Sequence, residues 1–296
     1  MNRRNFLKAL IGISFLFFAS PNLLASSAGF TLSERNRWTH IIEKDQFSFL
    51  AIGDMGTGWK TQYEIIEQME NHLNPGTDSV LLLGDIVYPY PTTEQDFKEK
   101  FEKPFKPLID KELRFYPAWG NHDWHTEEAK LLKDYFVAPN YYTFVNGPAQ
   151  FWAVNSNKFD SNQIKWLKES LSISKSPWKI VFLHHSPYSS GKGHHNNQHL
   201  IKNLTPILNE FNVDLCLSGH NHLYERSEKI GSTIYITSGG GSASLHKYDD
   251  KANFPRVKAN SIHHFLLIEG NNKKLNLKAI DKIGNTIDSM NLEKNF

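Results

Sequence analysis

Short apolar runs that stop at small and polar residues recur along the chain. Residues 47–52 end at Gly53-Asp54, 80–83 at Gly84-Asp85, and 113–119 at Gly120-Asn121-His122-Asp123. Residues 180–183 end at His184-His185, and 213–217 lead into Gly219-His220-Asn221-His222. Runs of this length, rich in β-branched and aromatic residues, predict buried strands. Between them a helical period takes over. Residues 61–73 set Ile65, Ile66, Met69 and Leu73 on one face. Residues 160–171 open with Asp160 and Gln163 at capping-box spacing and bury Ile164, Leu167 and Leu171. Residues 199–211 predict a third helix, with Pro206 imposing a kink or a late start. The tail, 261–292, alternates as antiparallel strands do, with Asn271-Asn272 as a turn. Strands alternating with helices indicate an α/β fold whose ligands gather at the carboxyl ends of the strands.

The N-terminal stretch departs from this pattern. Arg3, Arg4 and Lys8 precede an apolar run, 9–19, and small residues follow, with Ala25 or Ala28 as the cleavage point. That order is an export signal, and the run is short for a membrane span. The paired arginines with Phe6-Leu7-Lys8 resemble a twin-arginine signal, which implies the twin-arginine export machinery as partner and a periplasmic or secreted, bacterial location. We therefore divide the chain into a signal, 1–28, and one catalytic domain, 29–296.

Removing three positive charges with the signal takes the formal net charge from +2 to −1, so charge gives no reason to expect nucleic acid as a partner. No stable membrane span is expected once the signal is gone. In 296 residues there is one cysteine, Cys216, against 14 histidines. A disulfide framework or thiolate metal site is excluded, and any transition metal must be held by His, Asp, Asn or Tyr. Cys216, inside an apolar run, reads as core.

Five strand ends deliver such donors: Asp54; Asp85 with Tyr88; Asn121 with His122; His184 and His185; and His220 with His222. A carboxylate such as Asp85 can bridge two cations about 3.5–4 Å apart. In extended chain His220 and His222 project to one side, so both can be presented together. Any one cluster alone reads as a turn, but five in order at strand ends read as a binuclear site. The glycine-rich Ser238-Gly239-Gly240-Gly241-Ser242 lacks the Lys-Ser/Thr of a P-loop, and is expected to pass close to the centre.

The order of these motifs resembles the calcineurin-like metallophosphoesterases, and within them the purple acid phosphatases, from Phe47 to about Gly240. The superfamily opens with Asp-x-His, whereas this chain reads Asp54-Met55-Gly56 and adds Tyr88 after Asp85, where purple acid phosphatases place a tyrosinate. The resemblance implies a four-layer αββα sandwich, α/β (α+β) in class, of two packed sheets flanked by helices. It implies Fe³⁺ held by Asp54, Asp85, Tyr88 and His222, and Fe²⁺, Zn²⁺ or Mn²⁺ held by Asp85, Asn121, His185 and His220. His185 is chosen over His184 because it precedes Ser186-Pro187; His184 is then a core histidine, with a shift of one position left open. His122 takes the place of a family histidine that acts on the phosphate or the leaving group, and His194 or His195 that of one that holds phosphate oxygens or protonates the leaving group, His194 being preferred. His125 and His199 receive no role.

The expected activity is hydrolysis of small phosphate monoesters by attack of metal-bound hydroxide on phosphorus, as in an acid phosphatase. The alternatives are a phosphodiesterase or nucleotide pyrophosphatase of the same superfamily, and a metal-binding scaffold that has lost catalysis. About 20 residues separate the cleavage point from the first strand, which implies the small, single-domain type.

Overall fold

The computed structural model describes residues 41–42, 44–90, 93–124, 129–252 and 254–295. The export signal with its arginines, and His125, lie outside them. In chain order the strands are β1 (Ile41–Ile42), β2 (Gln46–Ile52), β3 (Thr77–Leu82), β4 (Arg114–Pro117), β5 (Tyr142–Asn146), β6 (Ala149–Ala153) and β7 (Trp178–Phe182). They continue with β8 (Leu215–Ser218), β9 (Tyr224–Ile230), β10 (Thr233–Ser238), β11 (Arg256–Asn260), β12 (His264–Asn271), β13 (Lys274–Asp281) and β14 (Thr286–Glu293). Among the described residues they form two mixed sheets. One has eight strands in the order β1-β5-β6-β7-β8-β10-β9-β11, and the other has six in the order β14-β13-β12-β2-β3-β4.

The sheets meet face to face through aromatic side chains. Phe49 of β2 meets Phe151 of β6 edge-on at 5.0 Å, and Tyr116 of β4 stacks on Phe144 of β5 at 3.7 Å. Phe144 also stacks on Phe151 at 4.7 Å and is fully buried, so it sits in the middle of the inter-sheet layer. Phe144→Ala should therefore destabilise the fold by about 3–5 kcal/mol. Denaturant unfolding will read this, and a loss below about 1 kcal/mol would mean that the layer collapses freely into the space.

Helices cover the outer faces and complete the αββα order. Helix α1 (Lys60–Asn71) buries Ile65, Ile66 and Met69. Helices α2 (Ser161–Ser172), α3 (Gln198–Asn203) and α4 (Thr205–Glu210) bury Trp166, Leu167, Leu171, Leu200 and Leu208 in one cluster with Trp152 and Cys216 of the eight-stranded sheet. The third predicted helix is two, because Pro206 has no N–H for the carbonyl one turn back and the chain restarts at Thr205. Asp160 caps α2 as expected, its Oδ1 accepting the Asn162 and Gln163 amides at 3.1 Å. Gln163 does not complete the box. Its side chain turns inward, accepting the Asn155 N–H at 2.8 Å and donating to the Asn155 and Lys158 carbonyls, because those buried loop groups need partners more than an exposed helix start does. The tail forms the expected meander β12-β13-β14, with Asn271 at the first turn accepting the Lys273 and Lys274 amides.

Candidate metal centre

The two sheets present their strand ends side by side. Gly53 N–H, after β2, donates to the Ser238 carbonyl of β10 at 3.0 Å, and Asp54 N–H donates to the Gly84 carbonyl after β3 at 3.0 Å. Three of the donors that leave these strands, Asp54 (φ 58°), Asp85 (φ 52°) and His220 (φ 67°), have left-handed backbone. Non-glycine residues pay about 1–2 kcal/mol for this region. Strain of this kind gathers where a side chain must be aimed rather than where a strand merely ends.

Asp54 and Asp85 are buried, and Tyr88 reaches both. The Tyr88 Oη lies 3.0 Å from Asp54 Oδ1, 2.9 Å from Asp85 Oδ2 and 3.2 Å from His222 Nε2. His222 Nε2 is 3.3 Å from Asp54 Oδ1. With the His222 Nδ1 donating to the Ser244 carbonyl at 2.7 Å, a neutral ring turns a lone pair toward this group. Four oxygen and nitrogen donors then converge around one phenolic proton, which is the chemistry of a cation site. The electrostatics agree. Burial pushes the Tyr88 phenol well above its ordinary value, and Asp54 and Asp85 add to it. Burial alone would lower the His184 and His222 rings, yet the Asp85 and Asp54 carboxylates raise both, so the pocket draws positive charge inward.

A second group of donors lies against the first. His184 Nδ1 donates to the Leu83 carbonyl at 2.9 Å and leaves Nε2 facing Asn121 Oδ1 at 3.0 Å, Asp85 Oδ1 at 3.5 Å and His220 Nδ1 at 3.2 Å. Donor atoms of Asp54, Asp85 and His184 all lie within 4.8 Å of one another. His185 sits beside them, its ring 4.3 Å from that of His220 and its Nδ1 2.8 Å from Ser156 Oγ. Burial, with His184 and His194 next to it, pushes His185 down to about 3, so it is neutral and can offer a lone pair. Both members of the His184-His185 pair are therefore in the cluster, and His184 is at once a fully buried core residue and a donor.

Two glycines make room for this arrangement. A Cβ at Gly56 would collide with the Ile86 carbonyl, and Tyr88 N–H donates to the Gly56 carbonyl at 2.8 Å. The bare backbone at position 56 is what lets the segment carrying Tyr88 pack down. A Cβ at Gly120 would strike Asp85 itself.

At the rim, His122 packs against the rings of Tyr88 (4.8 Å) and Tyr90 (5.2 Å), with Nδ1 donating to the Pro89 carbonyl and Nε2 3.9 Å from Asp85 Oδ2. His194 is exposed, but its ring lies tilted against that of His220, centroids 3.8 Å apart; His195 is exposed beside it. Their loop is anchored through Ser190, which donates its N–H and Oγ–H to buried Glu225 and accepts from Arg256 Nη1 at 2.7 Å. His199 is on α3, its Nε2 donating to the Phe159 carbonyl at 3.1 Å, apart from the centre. The glycine-rich segment does run against it, with Gly241 N–H donating to the Gly53 carbonyl and Ser242 N–H to the Asp54 carbonyl.

Two residues escaped the sequence reading. Asp123, fully buried, accepts the Ile86 and Gly120 amides at 2.8 Å each and so ties the loops after β3 and β4. Burial and the Asp85 charge push its carboxyl up to about 7. Its position in Gly120-Asn121-His122-Asp123 was the available signal. His246 stacks on His222, and nothing in its local sequence marks it.

Residues 47–224 match the family model described as calcineurin-like phosphoesterase. The chain is 27% identical over 279 residues to purple acid phosphatase 17 of Arabidopsis thaliana, covering 81% of this chain and 80% of that one. It is 25% identical to the rat (Rattus norvegicus) tartrate-resistant acid phosphatase type 5, covering 66% and 72%. In structure it is similar to purple acid phosphatase PPD1 of yellow lupin (Lupinus luteus), with a TM-score of 0.77 and 19% identity over 87% of this chain, which spans only 55% of the lupin protein. It is also similar to GAP50, the anchor in the inner membrane complex of Plasmodium, with a TM-score of 0.74 and 23% identity, covering 86% and 90%.

Proposed function

Because the chain belongs to the calcineurin-like phosphoesterases, we propose that it is a binuclear metal-dependent phosphatase of the purple acid type, hydrolysing small phosphate monoesters. The observation that carries this reading is the meeting of Tyr88 Oη with Asp54, Asp85 and His222. Those four would hold Fe³⁺. Asp85, Asn121, His185 and His220 would hold Fe²⁺, Zn²⁺ or Mn²⁺, with His184 Nε2 among the same donors. When bound, such a pair supplies Lewis acidity toward phosphoryl oxygens and an activated water at acid or neutral pH.

The chain's own groups do the rest. His122 Nδ1 is engaged by the Pro89 carbonyl, so the proton it passes to a departing alkoxide leaves from Nε2. The Tyr88 and Tyr90 rings both pack against that ring. His194, its ring against that of His220, would donate to phosphoryl oxygens, with His195 next to it on the same loop.

Colour tests the assignment. A phenol with an ordinary pKa near 10 is ionised at low pH only under a strong Lewis acid, so iron-loaded protein should be pink to violet. Tyr88→Phe should bleach the visible band while p-nitrophenyl phosphate turnover persists and the bis ester is turned over poorly. Iron-replete wild-type protein without visible absorption would refute Tyr88 ligation.

We further propose that residues 1–28 are a twin-arginine export signal for a periplasmic or secreted protein. Among the described residues no helix is long and apolar enough to cross a membrane. Arg3→Lys with Arg4→Lys should retain precursor in the cytoplasm, and normal export of that variant, followed by fractionation, would point to the general secretory route.

A further inference from the structure

Each ring of the His220-x-His222 pair carries another imidazole on its outer side. His194 covers His220, and His246 covers His222 with centroids 4.1 Å apart and planes only 13° from parallel. The second contact is more than a stack. His246 N–H donates to the His222 carbonyl at 2.9 Å, and His222 N–H donates to His246 Nδ1 at 3.2 Å. Two residues earlier, the Ser244 carbonyl accepts from His222 Nδ1 at 2.7 Å. Segment 244–246 thus holds His222 at its main-chain nitrogen, its main-chain oxygen and its ring nitrogen, and lays a parallel plane against the ring. A histidine ring has two torsions, and either one turning would swing Nε2 away from Asp54 and Tyr88. The stack and the Ser244 carbonyl oppose both turns.

We infer that His246 is a positioning residue, which holds His222 in the orientation that aims its Nε2 at Asp54 and Tyr88. The inference rests on the reading of His222 as a metal ligand. Groups that orient metal-binding histidines typically alter metal affinity by 10–100-fold when removed. For His246 to accept the His222 amide, Nδ1 must keep its lone pair, so the ring proton of the neutral form sits on Nε2, on the side away from that amide. The two nitrogens can therefore be separated by substitution. Asparagine puts an acceptor oxygen where Nδ1 stands, and glutamine puts a donor where Nε2 stands.

The test is the rate at which Fe³⁺ is lost to a chelator from iron-loaded protein, read by iron content and by any visible band. His246→Ala should release iron about 10–100-fold faster than wild type. His246→Asn should restore slow release, and His246→Gln should behave as alanine does. Wild-type release from His246→Ala, or rescue by glutamine and not by asparagine, overturns the inference; the latter would show that the distal nitrogen, not the one facing the His222 amide, governs iron retention. His222→Ala is the control. If that variant keeps iron as wild type does, the ligand assignment itself has failed, whatever the His246 variants show. Should the alanine variant fail to fold, the asparagine and glutamine pair still decides.

Discussion

Replacing His122 with alanine is expected to lower monoester turnover on the order of 10²–10⁴-fold, with iron content and visible colour left as in wild type. The separation of effects follows from where the ring stands. Its backbone N–H, which the variant keeps, donates to Asp85 Oδ1 at 3.0 Å, whereas its side chain is anchored outward on the Pro89 carbonyl. With Nε2 still 3.9 Å from Asp85 and the ring 28% exposed, it stands outside the converging donors. Proton delivery to the leaving group is then what the variant loses. A leaving group that needs no proton, such as p-nitrophenolate, should suffer less than an alkyl alkoxide. Iron lost in step with activity would show that the ring is a ligand instead.

Asp85→Asn should cost metal as well as turnover, because Asp85 joins the two donor groups. Its Oδ2 faces Tyr88 Oη at 2.9 Å, and its Oδ1 faces His184 Nε2 at 3.5 Å. Asparagine matches the shape and tolerates the left-handed backbone found at this position (φ 52°), so the loop should survive. What disappears is the negative charge and one of the two acceptor oxygens. Lewis-acid stabilisation is worth several kcal/mol, and each 1.36 kcal/mol is a factor of ten, so turnover should fall by about 10³-fold or more. Metal analysis should find fewer than two ions per chain, with far-UV circular dichroism unchanged. A full pair of ions in this variant would sink the bridging role.

Much of this site could be read from the chain because strands end where their polar clusters begin. Asp54, Asp85, Asn121 and His220 each follow a short apolar run, and the structure brings those runs to adjacent positions in two sheets. The choice within His184-His185 resisted sequence reasoning because alternation only says that the two rings diverge. Which ring reaches Asn121 depends on the Leu83 carbonyl, 101 residues away, that takes the His184 Nδ1 proton. Gln163 misled for a similar reason, since its inward turn answers to the buried backbone of Asn155 and Lys158. His246 was hidden because it lies beyond β10, in a loop that folds back on His222. Helices α3 and α4, by contrast, separated where Pro206 said they would.

The donors come from opposite sheets, and this bears on how the protein holds together. Asp54, Asp85 and Asn121 leave the six-stranded sheet, while His184, His185, His220 and His222 leave the eight-stranded one. The one cysteine, Cys216, is buried in an outer apolar cluster, so no disulfide can fasten sheet to sheet. An ion gripped from both sides would act as a removable cross-link, joining positions such as Tyr88 and His222 that lie 134 residues apart in the chain. Such a link favours the folded state by mass action, by about 2.7 kcal/mol when free ion stands at 100 times its dissociation constant. Melting temperature would then become a gauge of metal supply, and a chelator should lower it by weakening the link between the sheets.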